Sequence, residues 1–332
     1  VTLPATVAVD VGGTKIRAGS VIDGELAHVR SVPTPATSGA QAVLDTIAEV
    51  TAAVVAEASG SHGGESAWRI GIGAAGVIDP ATGTVVSATD SLPGWAGTDL
   101  VTELSARSGL PVRVVNDVHA HALGEAAAGA SRGTRSSLLV AAGTGIGGGF
   151  ITDGHLLTGR NSAAGHVGHV PSAAASGLAC PCGGTGHVEA VASGPAILNT
   201  YRRLVDTSDS PTSAPNSVAG HEMAAPAPGN TRELAAAASA GDELALRAFD
   251  IGARALGSAL GGISNILSPE VIVVGGGLAE MDETWWAPLR EAFAAELIPA
   301  TSGTQLVKAE LGQDAALVGA ASLWNAEQRE TR

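Results

Sequence analysis

The sequence predicts an α/β fold made of two related halves, and three observations predict it. A β-rich run from Thr6 to Val11 ends at Gly12-Gly13-Thr14, and the alternating run from Lys15 to Ile22 then closes on the turn pair Asp23-Gly24. The same grammar returns about 130 residues later: Leu138 to Ala142, then Gly143-Thr144-Gly145, then Ile146 to Thr152, then Asp153-Gly154. At one offset Gly13 falls on Gly143, Gly19 on Gly149 and Asp23-Gly24 on Asp153-Gly154, the mark of a repeated unit. Helical patterns lie between the strand runs, and 332 residues are enough for two cores.

The segment from Gly39 to Ser59 has no proline, and Val43, Ile47, Val50 and Val54 recur at helical spacing, which makes it a surface helix with one apolar face. Ile70 to Ala74 reads as a short strand, followed by a loop at Gly76-Val77-Ile78-Asp79-Pro80. Val112 to Val115 is a further strand that ends at Asn116-Asp117, and Ala120 to Ala130 is helical. Polar residues at the end of a buried strand face the crevice where α/β proteins bind ligands. Residues Asp206 to Asn230 are rich in Ser, Pro, Ala and Asn without periodicity, and a flexible insertion is expected there. Beyond it, Glu233 to Leu267 has the Ala-rich pattern of two helices, and Val271 to Val274 is a strand running into Gly275-Gly276-Gly277. Trp285-Trp286 is expected to pack a helix rather than stack on a substrate.

Composition narrows the partners. With 18 Lys+Arg against 32 Asp+Glu the net charge is −14, a field that repels nucleic-acid backbones and anionic membrane surfaces. A small phosphorylated ligand is still admissible, because backbone N–H groups bind phosphate locally whatever the net charge. Cys180 and Cys182 stand too close in sequence for an ordinary structural disulfide, which fits a reducing compartment. There is no signal-like segment at Val1 to Asp10 and no apolar stretch of membrane-spanning length, so a cytoplasmic protein is expected.

Three glycine turns close three strands: Gly12-Gly13-Thr14, Gly143-Thr144-Gly145 and Gly275-Gly276-Gly277. Glycine lets a backbone approach a polyphosphate and cradle its oxygens with N–H groups. Gly143-x-Gly145-x-x-Gly148 also fits the dinucleotide fingerprint, but a strand and hairpin turn follow it where that fold needs a helix. Lys15 follows its glycines without the spacing of a Walker phosphate loop. Asp10, at a strand end beside the first turn, is placed to orient a magnesium-bound water. Asp117 suits a general base for phosphoryl transfer to an alcohol, although helix capping by Asn116-Asp117 is an equal reading on spacing alone. The most specific cluster is Gly165-His166-Val167-Gly168-His169 followed by the run from Cys180 to Glu189. His169, Cys180, Cys182 and His187 have the ligand types and number of a closed tetrahedral zinc site, which would stabilise the loops carrying His166 and Glu189. His119, His121 and His155 have no ligand spacing.

With these residues assembled, the chain resembles the ROK (repressor, open reading frame, kinase) sugar kinases of the actin-like ATPase superfamily. The likeness covers almost the whole chain, in order: VAVDVGGTKIRAG, GIGAAGVID, LPGW, VVNDVHAHALGE, AAGTGIGGG, the histidine and cysteine segment, EAVASGPAI and SPEVIVVGGG. It implies a two-lobed actin-like, ribonuclease H-like α/β fold with ATP and sugar in the interlobe cleft. One lobe would span residues 1–119, completed by a C-terminal helix at 312–332, and the other 120–311, with a zinc loop at 165–189. By resemblance Asp117 is the catalytic base, and Gly76, Asn116, Asp117, His166, His169 and Glu189 surround the sugar, His169 bridging zinc and sugar. Asp10, Gly12, Gly13, Thr14 and Lys15, with Gly143, Thr144 and Gly145, would hold the phosphates of ATP and its Mg²⁺, and Gly275, Gly276 and Gly277 would border the adenosine. The family is commonly homodimeric.

Two departures from the family pattern bear on chemistry. His187 stands where the zinc site usually ends in a third cysteine. His166 stands where the family's glucokinases carry glutamate in E-x-G-H, and the resulting AGHVGH resembles bacterial N-acetylmannosamine kinases. The reading is therefore phosphorylation of the C6 hydroxyl of N-acetylmannosamine, in sialic acid breakdown, with ATP as donor and polyphosphate as the open alternative. Glucokinase or N-acetylglucosamine kinase activity is the alternative. A ROK transcriptional regulator is disfavoured, because the phosphate motif begins at Asp10 and the net charge is acidic.

Overall fold

In β1 (Ala5–Val11) every residue but Asp10 is buried, so the strand must be covered on both faces. The computed structural model describes residues 5–62, 67–88, 92–208 and 227–325. β1 pairs antiparallel with β2 (Lys15–Ile22), and β2 with β3 (Glu25–Pro33). β4 (Trp68–Ala74) then adds parallel to β1, and β7 (Val112–Asn116) parallel to β4, giving a sheet of order β3-β2-β1-β4-β7.

The second half repeats this plan. β8 (Ser136–Ala142), β9 (Ile146–Thr152) and β10 (His155–Leu156) are antiparallel. β11 (Val271–Gly275) and β12 (Gln305–Lys308) add in parallel, giving the order β10-β9-β8-β11-β12. The hairpin turns correspond in conformation: Asp23 and Gly24 have φ of 51° and 87°, Asp153 and Gly154 of 48° and 77°, the doubly positive geometry of a type I′ turn. The glycine turns differ in length. Val11 pairs with Ile16 across Gly12 to Lys15, whereas Ala142 pairs with Ile146 across Gly143 to Gly145, one residue fewer.

The first core gathers β1, β4 and β7 under α1 (Ala40–His62) and α2 (Leu100–Ser108), with Val43, Leu44, Ile47, Val54, Leu100 and Leu104 buried. The second packs β8 and β11 against α4 (Glu189–Ala192), α5 (Gly194–Ser208), α6 (Thr231–Ser239), α7 (Glu243–Leu267) and α8 (Glu283–Glu296). Trp285 and Trp286 are buried in α8, Trp286 donating through Nε1 to the Ala279 carbonyl at 3.1 Å, so they pack the helix as expected.

Between the sheets lies α3 (Asp117–Ala128), packed on β4 and β7 of one, on β8 and β9 of the other, and on α9 (Ala315–Ser322). Glycine makes this possible. A Cβ at Gly73 of β4 would come within 2.7 Å of the Ala120 Cβ, one at Gly149 of β9 within 2.7 Å of the Ala122 Cβ, and one at Gly319 of α9 would overlap the Ala120 carbonyl. On its other side α9 covers Ala8 of β1.

Two expectations need correction. The segment expected as a loop at Gly76 to Pro80 contains β5 (Val77–Asp79), which pairs with β6 (Thr84–Ser87) through Ile78 and Val85. Its apolar alternation is too short to register without the partner strand. The C-terminal helix expected at 312–332 begins later, as α9, because Gly312 with φ of 55° starts a single 3-10 turn ending at Asp314. Residues 326–332 lie outside the described residues. At the expected insertion 206–230, α5 continues to Ser208, and 209–226 also lie outside them.

Candidate active site

The first sheet brings its polar strand ends level. Asp10 is in register with Gly73 of β4, and Gly73 with Val115 of β7, so Asp10 and the Asn116-Asp117 pair lie two strands apart at the same carboxyl edge. Asn116 is the N-cap of α3, its Oδ1 accepting from the N–H of Val118 at 3.0 Å and of His119 at 3.1 Å. Its Nδ2 donates to the Gly76 carbonyl and to Asp117 Oδ1, both at 2.8 Å. The four hydrogen-bonding positions of this amide are thus all used within the protein.

Asp117 Oδ1 also accepts from the Val118 N–H at 2.9 Å, which leaves Oδ2 for a ligand. Burial pushes the Asp117 carboxyl above the usual carboxylate range, against the pull of the Val118 N–H, of His121 and of the Asn116 amide. Burial likewise raises Asp10, and the nearby Asp117 charge adds to it, while His121, Arg17 and Lys15 oppose. Two neighbouring carboxyls are thus both raised, mainly by burial.

Hydrogen bonds pin the glycine turns. Gly12 N–H donates to the Lys15 carbonyl at 3.0 Å, and Thr34 Oγ1 donates to the Gly12 carbonyl at 2.7 Å. Across the cleft Gly143 N–H donates to the Gly145 carbonyl at 2.9 Å, and the Gly194 N–H at the start of α5 donates to the Gly143 carbonyl at 2.8 Å. A cavity of about 850 Å³ opens there, its walls including Gly143, Thr144, Gly194, Thr231, Gly277 and Gln313. Gln313 Oε1 accepts from Lys15 Nζ at 2.7 Å, so the cavity reaches the first turn from the opposite lobe. Of the third glycine run, Gly277 lines the cavity, Gly276 at φ 88° packs on Ala142, and Gly275 ends β11.

The histidine and cysteine segment folds into one cluster. Ligand atoms of His169, Cys180, Cys182 and His187 all lie within 4.8 Å of one another, with His169 Nδ1 3.7 Å from Cys180 Sγ and His187 Nδ1 3.2 Å from Cys182 Sγ. Tetrahedral zinc with ordinary Zn–S and Zn–N bonds would set such pairs about 3.5 Å apart, so the four side chains fit the metal. Glu189 stands behind it, buried, its Oε2 accepting from the Ile146 N–H at 2.6 Å beside the Gly143 turn. His166 precedes the cluster, its Nδ1 2.8 Å from the Ala163 carbonyl.

The model of the ROK family matches residues 6–327. The chain belongs to the ROK family. It is 36% identical over 319 residues to a glucokinase of Thermotoga maritima, covering 96% of each chain. It is 32% identical over 325 residues to an N-acetylmannosamine kinase of Escherichia coli O1:K1, covering 97% of this chain and 99% of the other. A ROK family glucokinase from Streptomyces griseus, solved with glucose and AMPPNP, superposes with a TM-score of 0.75 at 34% identity, covering 96% of this chain and 98% of that one. The fold is thus the two-lobed actin-like fold of the ROK kinases, and the protein is an enzyme of that group.

Within this ROK kinase the structure gathers Asp10, Asn116 and Asp117 at one sheet edge and Gly143, Thr144 and Gly277 around one cavity. Sequence reasoning passed over several neighbours. His119 is buried and ties α3 to the loop before His166, with Nε2 2.9 Å from the Ala164 carbonyl; burial pushes its imidazole below the usual range. Thr34, Gly194, Thr231 and Gln313 come from four separate segments. The N-cap signal of Asn230, which accepts from the Glu233 N–H at 2.9 Å, was the one local clue to Thr231.

Proposed function

We propose that this ROK kinase transfers the γ-phosphoryl group of ATP to the C6 hydroxyl of N-acetylmannosamine. The observation that carries the chemistry is Asp117: a half-buried carboxylate with Oδ1 fixed by two donors and Oδ2 left open, at a sheet edge shared with Asp10. Oδ2 would accept the hydroxyl proton as the oxygen attacks phosphorus in line. The N–H groups around Gly12 to Lys15 and Gly143 to Gly145 would hold the phosphates, and the Gly143–Gly277 cavity the nucleoside. Magnesium, bound with ATP, would spread the charge of the transferring group, with Asp10 holding a water in its shell.

Zinc would be held by His169, Cys180, Cys182 and His187 and would fix the loops carrying His166 and Glu189. Asn116 would contribute to the sugar only by exchanging its bond to the Gly76 carbonyl for one to a hydroxyl; undisturbed, it orients Asp117.

His166 favours an amide-bearing sugar. Its Nδ1 faces a carbonyl, which can only accept, so in the neutral ring Nε2 is an acceptor, suited to the N–H of a 2-acetamido group. The glucokinases at 36% and 34% identity favour glucose as the second reading. A coupled assay of ADP release over glucose, N-acetylglucosamine and N-acetylmannosamine decides between them. The highest kcat/KM is expected for N-acetylmannosamine, and a preference for glucose would overturn the reading of His166.

A further inference from the structure

The Leu92-Pro93-Gly94-Trp95 turn has no part in the reaction as described so far, yet it closes on the loop beside the proposed base. Trp95 is 1% exposed, and its Nε1–H donates to the Ala75 carbonyl at 3.0 Å. Ala75 follows the last residue of β4 and precedes Gly76, whose carbonyl accepts from Asn116 Nδ2 at 2.8 Å. The same amide donates to Asp117 Oδ1 at 2.8 Å. Only the Ala75–Gly76 main chain and the Asn116 amide therefore separate the indole from the Asp117 carboxylate.

The Ala75–Gly76 segment needs an external hold. Gly76 has φ of 106°, and glycine takes either sign of φ about as readily, so its own backbone does not choose where the two carbonyls point. Hydrogen bonds make the choice: Ala75 N–H to the Val11 carbonyl at 2.9 Å, Trp95 Nε1–H to the Ala75 carbonyl, and Asn116 Nδ2 to the Gly76 carbonyl. The indole is itself fixed. Trp95 N–H donates to the Leu92 carbonyl at 3.1 Å, Gly97 N–H to the Val85 carbonyl at 2.7 Å, and Val85 N–H to the Thr98 carbonyl at 2.9 Å. Val85 belongs to β6, which pairs with β5 directly after Gly76, so turn, hairpin and loop close into one ring. Val11 is held separately by its pairing with Ile16, so the first glycine turn does not depend on the indole.

We propose that Trp95 is a positioning residue for the sugar side of the site. By holding the Ala75 carbonyl it fixes the Gly76 carbonyl, and through it the Asn116 amide that orients Asp117 Oδ1. It touches no substrate. Without the indole N–H the Ala75 carbonyl loses this donor, the glycine is free to turn, and the Asn116 amide loses its anchor.

The proposal rests on Asp117 being the base, and the two can fail separately. Trp95→Phe keeps an aromatic ring and removes the donor. Trp95→His keeps an N–H at the matching position of a five-membered ring and gives up the rest of the indole. Trp324→Phe is the control, because it removes a like bond at the other end of β4, from Nε1 to the Ile70 carbonyl at 3.1 Å. Each is assayed by ADP release with the better of glucose and N-acetylmannosamine, and unfolded in urea to compare stability. Trp95→Phe is expected to lower kcat/KM for sugar about tenfold or more with KM for ATP within about twofold of wild type, because a displacement of about 1 Å remote from the chemistry can cost about 100-fold. Trp95→His is expected to recover part of that loss even where it is the less stable of the two. Trp324→Phe is expected to lose stability and keep kcat and both KM values within about twofold. Wild-type kcat/KM for sugar in a folded Trp95→Phe overturns the proposal, as does a loss shared equally by Trp324→Phe. If Trp95→Phe does not fold, a folded Trp95→His that loses more than about tenfold in kcat/KM for sugar despite its N–H overturns it instead. If Asp117→Asn is inactive while Trp95→Phe matches wild type, the positioning role alone fails; if Asp117→Asn is fully active, the base assignment fails with it.

Discussion

Asp117→Asn separates what the carboxylate does for catalysis from what it costs the fold. The replacement is nearly isosteric, and an asparagine Oδ1 can still accept from Asn116 Nδ2 and the Val118 N–H, so α3 keeps its start. Only the basic oxygen is lost. A positioned general base contributes about 10²- to 10⁴-fold, or roughly 3–5 kcal/mol of barrier, and kcat should fall by that factor with little change in KM. Stability should move the other way. Burial raises the Asp117 carboxyl, so the stability associated with its neutral form is fully present below the ordinary carboxylate pKa and is lost as pH rises through the raised value. Asp10, raised mainly by burial and further by the Asp117 charge, behaves alike and is relieved when that charge is removed. The variant should therefore melt higher than wild type at pH 7.5, and the gap should close as pH falls toward 4. Melting curves at the two pH values, with the coupled assay on the same samples, test both halves. A variant that melts lower at neutral pH would mean that hydrogen bonds outweigh desolvation at this carboxylate, and a variant that turns over normally would remove Asp117 from the mechanism.

Glu125→Ala should destabilise the protein by about 3 kcal/mol or more in chemical denaturation. The buried carboxylate accepts from the N–H groups of Ala130, Leu311 and Glu310 at 2.7, 2.9 and 3.2 Å, and each donor left unpaired costs about 1–3 kcal/mol. An unchanged midpoint would show that water replaces it freely. Gly319→Ala should cost about 3 kcal/mol, the upper end of ordinary overpacking, because its Cβ overlaps the Ala120 carbonyl; a neutral result would mean that α3 and α9 separate easily. Metal analysis after dialysis should find about one zinc per chain, and chelation should lower the melting temperature; a metal-free protein of full stability and activity would refute the site.

The parts of this molecule that are legible in its sequence are those fixed by local chemistry. Asp23-Gly24 and Asp153-Gly154 declare their hairpins because both residues of the turn need positive φ, and the strands follow from alternation on either side. The Cys180 to His187 spacing declares a cluster because its members are close in the chain. What stayed hidden depends on approach across the fold. Asp10 and Asp117 meet through strand registers that no pattern in either segment announces. The turn at Gly143 is one residue shorter than that at Gly12, which a single repeat offset conceals. The glycine excess, 45 residues, is the clearest case. Some glycines mark turns, as expected. Others, such as Gly73, Gly149 and Gly319, sit inside strands and a helix where local propensity argues against them, and each is explained only by α3 pressing on it. The helix that starts with the proposed base is thus clamped by both sheets and by α9, and the local cost of those glycines sustains the close packing that fixes Asp117.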